Sequence, residues 1–304
     1  MKVIKEILFS LLGVLVITVG ILYGMGFFNG HGKMPVSNHP KPTTEKAVKH
    51  LKILALGDSL TQGVGDTKDQ DGYQKRLTTM IKQRANGSKA TIYNEGISGE
   101  RSDQILKRFK TSKKIQKEAT KSDVLIVTAG GNDLFQSLQK DVSDSASQVA
   151  VKVNKVSLTY QQHLQSIFDY ARQLNPTIKI VMVGIYNPFY VYFPNVTAIT
   201  SAVDTFNVTA DATVDNFKQA SFVNIDKLSV GQYRTKLQQA KLKKESTEDD
   251  IAVVEKSQLE DRKFDTKEKN HYLSNEDHFH PNDKGYDMMT DKIYQAMKKA
   301  KIFK

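Results

Sequence analysis

The sequence predicts an α/β protein with a parallel, five-stranded sheet covered by helices on both faces. Two observations carry this. Short, nearly uninterrupted apolar runs recur along the 304-residue chain, and a strand buried on both faces reads as a continuous run rather than an alternating one. Segments of helical period separate these runs, which is the βαβ order that builds parallel sheets. Right-handed crossovers then bring the loop after each strand to one sheet edge, where open α/β sheets bind their ligands.

Ahead of that domain, residues 7–28 carry no charge and are almost wholly apolar or glycine. At about 1.5 Å per residue in a helix, such a stretch spans roughly 33 Å, enough to cross the hydrocarbon core of a bilayer. Lys2 and Lys5 precede it, so the N-terminus is expected in the cytoplasm and the remainder outside. A cleaved signal peptide is the rival reading, but its apolar region is normally shorter and ends in an Ala-x-Ala-like site. Residues 1–28 are therefore read as a transmembrane anchor or signal segment. Residues 29–49 mix Gly, Pro, Asn, Ser, Thr, Lys and His without periodicity and read as a flexible linker. The folded domain is expected over 50–304.

The first strand is 51–56, with Ile53, Leu54, Ala55 and Leu56 as its apolar run. It stops at Gly57-Asp58-Ser59, where glycine permits a tight turn. Tyr73 to Arg84 has helical spacing through Tyr73, Leu77, Met80 and Ile81. Strands follow at Ala90–Asn94 and Asp123–Ala129, then a long amphipathic helix from Gln148 to Leu174. Further strands fall at Ile178–Gly184 and Ser221–Ile225, and a last helix runs to about Lys299. Residues 228–270 break the pattern: they are charged and poor in apolar residues, with Tyr233, Leu237 and Ala240 at helical spacing. They read as a helical insertion, either a lid or, as the default, a solvated excursion.

Four loops carry candidate chemistry. Ser59 sits at a strand end just ahead of a helix, whose first N–H groups can hold a developing negative charge; a plain helix-capping serine is the alternative. In Asn94-Glu-Gly-Ile-Ser-Gly-Glu-Arg-Ser102, Gly96 and Gly99 allow close backbone approach and present an N–H, or form a turn only. In Gly130-Gly-Asn-Asp133, the Asn132 amide can donate to an oxyanion, or Asn132 or Asp133 can cap a helix. Finally, Asp277-His-Phe-His280-Pro281 supplies a histidine suited to deprotonate serine near neutral pH. Its carboxylate three residues earlier can turn back to hold the ring through Nδ1–H. Pro281 forces His280 into an extended conformation. Metal binding by Asp277, His278 and His280 is the competing reading, but no matching third cluster accompanies it.

Taken in order, Gly57-Asp58-Ser59-Leu60, Gly99 in its loop, Gly-Gly-Asn132-Asp and Asp277-x-x-His280 resemble the four-block signature of the GDSL, or SGNH, hydrolases, over roughly residues 50–300. With the apolar N-terminal segment, the chain is similar to membrane-associated members from Gram-positive bacteria. The resemblance implies a flavodoxin-like three-layer αβα fold. It also implies Ser59 as nucleophile, His280 as base then acid, Asp277 orienting His280, and an oxyanion hole of the Ser59 and Gly99 N–H groups and the Asn132 side chain. Such a site hydrolyses esters, and sometimes thioesters, through an acyl-enzyme, with no cofactor and no metal. Asp58 is read as a loop-bracing residue. The charged insertion is the main departure from the family pattern.

Composition narrows the partners. The net charge of +11 favours an anionic membrane or wall. No stretch interleaves basic and aromatic residues in the manner of single-strand binders, so nucleic acid is not expected. The absence of cysteine excludes disulfides and thiolate metal sites. Asn195-Val-Thr and Asn207-Val-Thr match glycosylation acceptors, a pattern common by chance. The expected activity is an extracytoplasmic serine esterase or lipase acting on a lysophospholipid, a short acyl ester or an O-acetyl group of a wall polymer. Alternatives are an acyltransferase on the same site and a non-catalytic surface-binding protein. The membrane is expected as a partner through the N-terminal segment, and no obligate protein partner is inferred.

Overall fold

Strands β1 (His50–Gly57), β2 (Lys89–Gly96), β3 (Val124–Thr128), β4 (Lys179–Val183) and β5 (Ala220–Val223) pair in parallel in the order β2-β1-β3-β4-β5. The computed structural model describes residues 50–139, 146–246 and 267–303. This strand order is that of the flavodoxin-like doubly wound sheets, and it reverses direction between the neighbouring strands β1 and β3. The loop after β1, which carries Ser59, therefore opens into the crevice at the switch point.

Alternate residues of the central strands feed two cores. Leu54 and Leu56 of β1, Leu125 and Val127 of β3 and Ile180 and Met182 of β4 face one side. There they meet α3 (Ser102–Thr111), α4 (Lys113–Lys121), α6 (Ala146–Leu174) and α7 (Thr197–Asp215) through Phe109, Ile115, Leu164, Phe168 and Phe206. On the other side Ile53, Ala55, Ile126 and Val181 meet α2 (Gln74–Arg84) and α10 (Asp283–Lys299) through Leu77, Ile81, Met289 and Ile293. These strands are apolar throughout because both faces are covered. Each fully buried Leu, Ile or Phe contributes about 1.5–3 kcal/mol before chain entropy is counted. The three layers are those the sequence predicts.

The remaining helices are short or solvent-facing: α1 (Ser59–Gln62), α5 (Gly131–Leu138), α8 (Lys227–Val230) and α9 (Lys236–Glu245). Helix α9 falls within the expected helical excursion, but its apolar spacing is not what forms it. Leu237 is 81% exposed and the helix buries no residue. A local capping box does the work, with the Thr235 hydroxyl accepting from Gln238 N–H and the Gln238 side chain answering to Thr235 N–H. The two ends of the expected 228–270 excursion are packed into the domain. Leu228 and Asn270 are fully buried, and Asn270 Nδ2 donates to the carbonyls of Leu228 and Ser229, closing the neck. Helices α3, α4, α5 and α7 have no counterpart among the predicted elements. In α7 the many Thr and Val residues have low helix propensity, and the fold overrides it by burying Ala202, Phe206, Ala210 and Val214. Asn207 is buried there, accepting from Ile185 N–H and donating to Ile185 C=O, so this sequon serves packing.

The expected anchor at 7–28 and linker at 29–49 lie outside the described residues. Among the described residues, no helix is long and apolar enough to cross a membrane.

Candidate active site

Strand β1 ends against β3 so closely that a Cβ on Gly57 would lie 2.1 Å from Thr128 Oγ1. Space, more than turn conformation, demands glycine here. The next residue, Asp58, caps α1: its carboxylate accepts from Leu60 N–H at 3.1 Å and from the Thr128 hydroxyl at 2.8 Å. Thr128 accepts in turn from Thr61, and Thr61 from the Tyr73 hydroxyl, so a chain of buried hydroxyls ends on this one carboxylate. Burial pushes the Asp58 carboxyl up, while Thr128 and Leu60 N–H oppose the rise. Asp58 thus braces the turn that presents Ser59, the first residue of α1.

The C-terminal loop reaches Ser59 from 221 residues away. The Ser59 hydroxyl donates to His280 Nε2 at 2.8 Å, and His280 Nδ1–H donates to Asp277 Oδ2 at 2.6 Å. The other Asp277 oxygen accepts the backbone N–H groups of Phe279 and His280, both at 3.0 Å. Burial would raise the Asp277 carboxyl, but the His280 ring and these two N–H groups bring it down to about 2. It is therefore a stable anion wherever imidazole titrates. His278 does not join them; its ring turns to Glu268, with Nδ1 2.5 Å from Oε2.

A salt-bridge hub holds this loop against α1. Arg76 of α2, with a side chain only 8% exposed, contacts Asp66 and Asp283 at 2.8 Å each and Asp287 at 2.8 Å. Burial would raise Asp66, yet Arg76 and the neighbouring donors hold it at about 2. The segment after α1 is thereby tied to the start of α10, immediately after His280-Pro281-Asn282. Tyr286 adds a bond from its hydroxyl to Val64 C=O at 2.8 Å.

The other two expected residues arrive from β2 and β3. Gly99 has φ +82, a left-handed conformation that disfavours other residues, and no acceptor faces its N–H among the described residues. The N–H of Ser59, at the first position of α1, is likewise without an acceptor there. Asn132 Nδ2 donates to Glu100 C=O at 2.9 Å, leaving the second hydrogen of that amide for another acceptor. Ser59, Asn132 and His280 line one cavity together with apolar side chains. Gly99 is outside its wall, but Gln136 Nε2 binds the Gly99 carbonyl and Ser98 N–H binds the Gln62 side chain, fixing this loop to both α5 and α1.

Two supports of the site have no signature of their own in the sequence. Arg108 on α3 forks onto Glu100 at 2.7–3.1 Å and reaches the carbonyls of Gly57 and Glu95 at 3.2 Å. One guanidinium thus joins the end of β1, the end of β2 and the residue after Gly99. Ser102, fully buried, donates its hydroxyl to Asp133 at 2.5 Å while its N–H reaches the other Asp133 oxygen at 2.9 Å. With that hydrogen committed, His163 Nδ1–H donates to Ser102 Oγ at 2.9 Å. Burial pushes the Asp133 carboxyl up and the Ser102 bonds oppose it. The cluster pins the start of α3 beside Asn132. The adjacency of Asp133 to Asn132 is the one local signal; nothing local points to Arg108 or His163.

Residues 55–288 match the model of the GDSL-like lipase/acylhydrolase family. The chain belongs to that family. It is accordingly a carboxylic ester hydrolase, and the blocks around Ser59, Gly99, Asn132 and His280 fall inside the match. It is 28% identical over 254 residues to the uncharacterized protein YpmR of Bacillus subtilis, covering 84% of each chain. It is 27% identical over 140 residues to the spore germination lipase LipC of Bacillus licheniformis, covering 46% of this chain and 65% of that one. Among solved structures, the lipase Lip_vut3 from a goat rumen metagenome superposes with a TM-score of 0.60 at 21% identity, covering 81% of this chain and 97% of the other. That likeness is one of fold.

Proposed function

We propose that this family member cleaves esters through a covalent acyl-enzyme formed on Ser59. The observation that carries the reading is the line of two short hydrogen bonds from Asp277 through His280 to the Ser59 hydroxyl, 2.6 and 2.8 Å. Ser59 Oγ attacks the ester carbonyl carbon as its proton passes to His280 Nε2, and the Asp277 anion stabilises the imidazolium. The oxyanion is held by the N–H groups of Ser59 and Gly99 and by Asn132 Nδ2. Collapse returns the proton to the leaving alcohol; water then attacks the acyl-enzyme by the same route and releases the acid. Transfer of the acyl group to an alcohol in place of water is the near variant.

The apolar, uncharged stretch at 7–28 after Lys2 and Lys5, and the net charge of +11, support a membrane-tethered enzyme whose catalytic domain faces outward. Lysophospholipids, short acyl esters and O-acetyl groups of wall polymers are substrates consistent with that location. A fluorophosphonate probe offered to the full-length chain should label wild type and leave Ser59→Ala unmodified, with ester turnover lost in parallel. A wild-type protein that resists the probe would instead be a non-catalytic binder on a hydrolase scaffold.

A further inference from the structure

We infer that the domain docks on an anionic bilayer through the edge of the sheet opposite the active site. In a parallel sheet with right-handed crossovers, strand starts and helix ends share one edge, and the catalytic loops share the other. The edge of strand starts is basic here. Lys52 near the start of β1, Lys89 and Lys179 at the starts of β2 and β4, and Lys218 just ahead of β5 lie there. They are joined by Lys121 at the end of α4 and Arg172 in the last turn of α6. Lys298 and Lys299 in the last turn of α10 come down on the same edge, where Lys179 Nζ donates to Lys301 C=O at 3.4 Å.

Lys121, Arg172, Lys179 and Lys218 line a single concavity. Arg172 braces it by donating to the carbonyls of Pro176, at 3.0 Å, and of Lys218. Among the described residues, no carboxylate forms an ion pair with Lys89, Lys121, Arg172 or Lys218. The acids on this edge are Asp123, whose Oδ2 accepts from Lys52 N–H at 2.9 Å, and the exposed Asp215 at the end of α7. Cations at helix ends answer to the helix dipole, which accounts for Lys121, Arg172, Lys298 and Lys299 without any partner. It does not account for Lys52, Lys89 and Lys179, since strands carry little net dipole. The catalytic edge is mixed in sign: Asp69, Asp71, Glu276 and Asp277 are exposed there beside Lys68 and Lys75, and Lys75 pairs with Asp71 at 3.1 Å. Positive charge is thus concentrated on the edge away from Ser59. Connectivity favours lipid as the occupant over an anionic wall polymer. Strand β1 begins at His50, so the segment holding the apolar stretch 7–28 joins the domain at this same edge. That choice rests on the tether reading above. Docked in this way, the domain turns Ser59 and His280 away from the bilayer beneath it, toward esters presented from water or wall.

The test uses the full-length protein in vesicles of phosphatidylcholine, alone or mixed with phosphatidylglycerol. The chain has no cysteine, so Gln173→Cys in the last turn of α6 and Lys68→Cys on the catalytic edge, both exposed positions, each take one fluorophore. Nitroxide-labelled lipid headgroups should quench the dye at 173 strongly on the mixed vesicles at about 0.1 M NaCl. Quenching should fall on phosphatidylcholine alone, and at about 1 M NaCl, where the Debye length shrinks from roughly 10 to 3 Å. The dye at 68 should be quenched little throughout. Each basic side chain near an anionic surface is worth about fivefold in affinity, so Lys89→Gln, Lys121→Gln and Lys218→Gln together should lower the docked-to-undocked ratio at least tenfold. An unchanged urea midpoint shows that the variant folds, and Lys218→Gln with Lys301→Gln replaces it if it does not. Equal quenching in both lipids, a dye at 68 quenched as strongly as that at 173, or a folded variant that docks like wild type overturns the inference. So does a variant that loses binding of soluble poly(glycerol phosphate) while vesicles still quench it, which would assign the edge to a wall polymer. Flotation with vesicles at about 1 M NaCl reads the tether separately. A chain that fails to float there sinks the anchor; flotation at low salt that needs phosphatidylglycerol would still support docking, and none under either condition would overturn it.

Discussion

Replacing Asp277 by asparagine separates what that residue does for the loop from what it does for His280, the proposed base. Asn keeps an oxygen at the Oδ1 position, so the N–H groups of Phe279 and His280, each 3.0 Å away, retain their acceptor and the turn survives. At the Oδ2 position an amide N–H now faces His280 Nδ1 across 2.6 Å. The ring answers by carrying its proton on Nε2, the atom that must accept from Ser59 across 2.8 Å. A base held in the wrong tautomer costs about 10⁴ in turnover, as in the serine-protease triad, or roughly 5 kcal/mol of barrier. Stability should change far less. The Asp277 carboxyl lies at about 2 against an ordinary 3.8, a gap worth about 2.5 kcal/mol if fully expressed. Its side chain is 36% exposed, and solvent screening reduces this to about 1 kcal/mol. Because the folded value is depressed, the wild-type contribution is complete above pH 3.8 and is lost as pH falls through 2; Asp277→Asn lacks it throughout. Single-turnover hydrolysis of p-nitrophenyl acetate should show the loss of rate, and urea midpoints between pH 2 and 6 the small change in stability. A variant that turns over within tenfold of wild type would refute the assigned tautomer and, with it, His280 as the base.

Asn132→Ala removes one expected oxyanion donor and should lower kcat by about 10²–10³ with little change in KM; an unchanged kcat would take Asn132 out of the hole. Arg108→Met leaves the Glu100 carboxylate, its side chain 16% exposed, without its forked partner. It should cost about 2 kcal/mol in urea denaturation. The released Gly99–Glu100 loop should also reduce kcat by about 10²-fold, whereas Arg108→Lys, restoring charge without the fork, should recover stability more than rate. Equal loss of kcat and of stability in both variants would make Arg108 a structural residue only.

The residues proposed as nucleophile, base and orienting acid, Ser59, His280 and Asp277, each stand in a motif of three or four residues whose local geometry nearly fixes how it can be used. Asp277 and His280 illustrate this: three residues apart, they pair by one turn of loop. The supports of the site were not legible in the same way. Arg108 binds Gly57, 51 residues earlier, and His163 reaches Ser102 across 61 positions; neither side chain has a neighbour in sequence that hints at its partner. Helix α7 is not legible in the sequence because its Thr and Val residues argue locally against helix, and Leu237, which gives α9 its apolar spacing, is left in water by the folded protein.

The alternation of apolar runs and amphipathic segments by itself determined a parallel sheet covered on both faces, since only strands enclosed from both sides need to be apolar at every position. It also determined that Ser59 and the Asn132 loop stand at strand ends, because a run must stop where the chain leaves the core. Tertiary structure alone decided how far apart the four loops lie, which carboxylates Arg76 gathers, and how the Phe135, Phe189 and Phe279 rings meet edge to face. Those outcomes depend on rings and charges supplied by segments distant in the chain, and contact between them is a property of packing that no local pattern encodes.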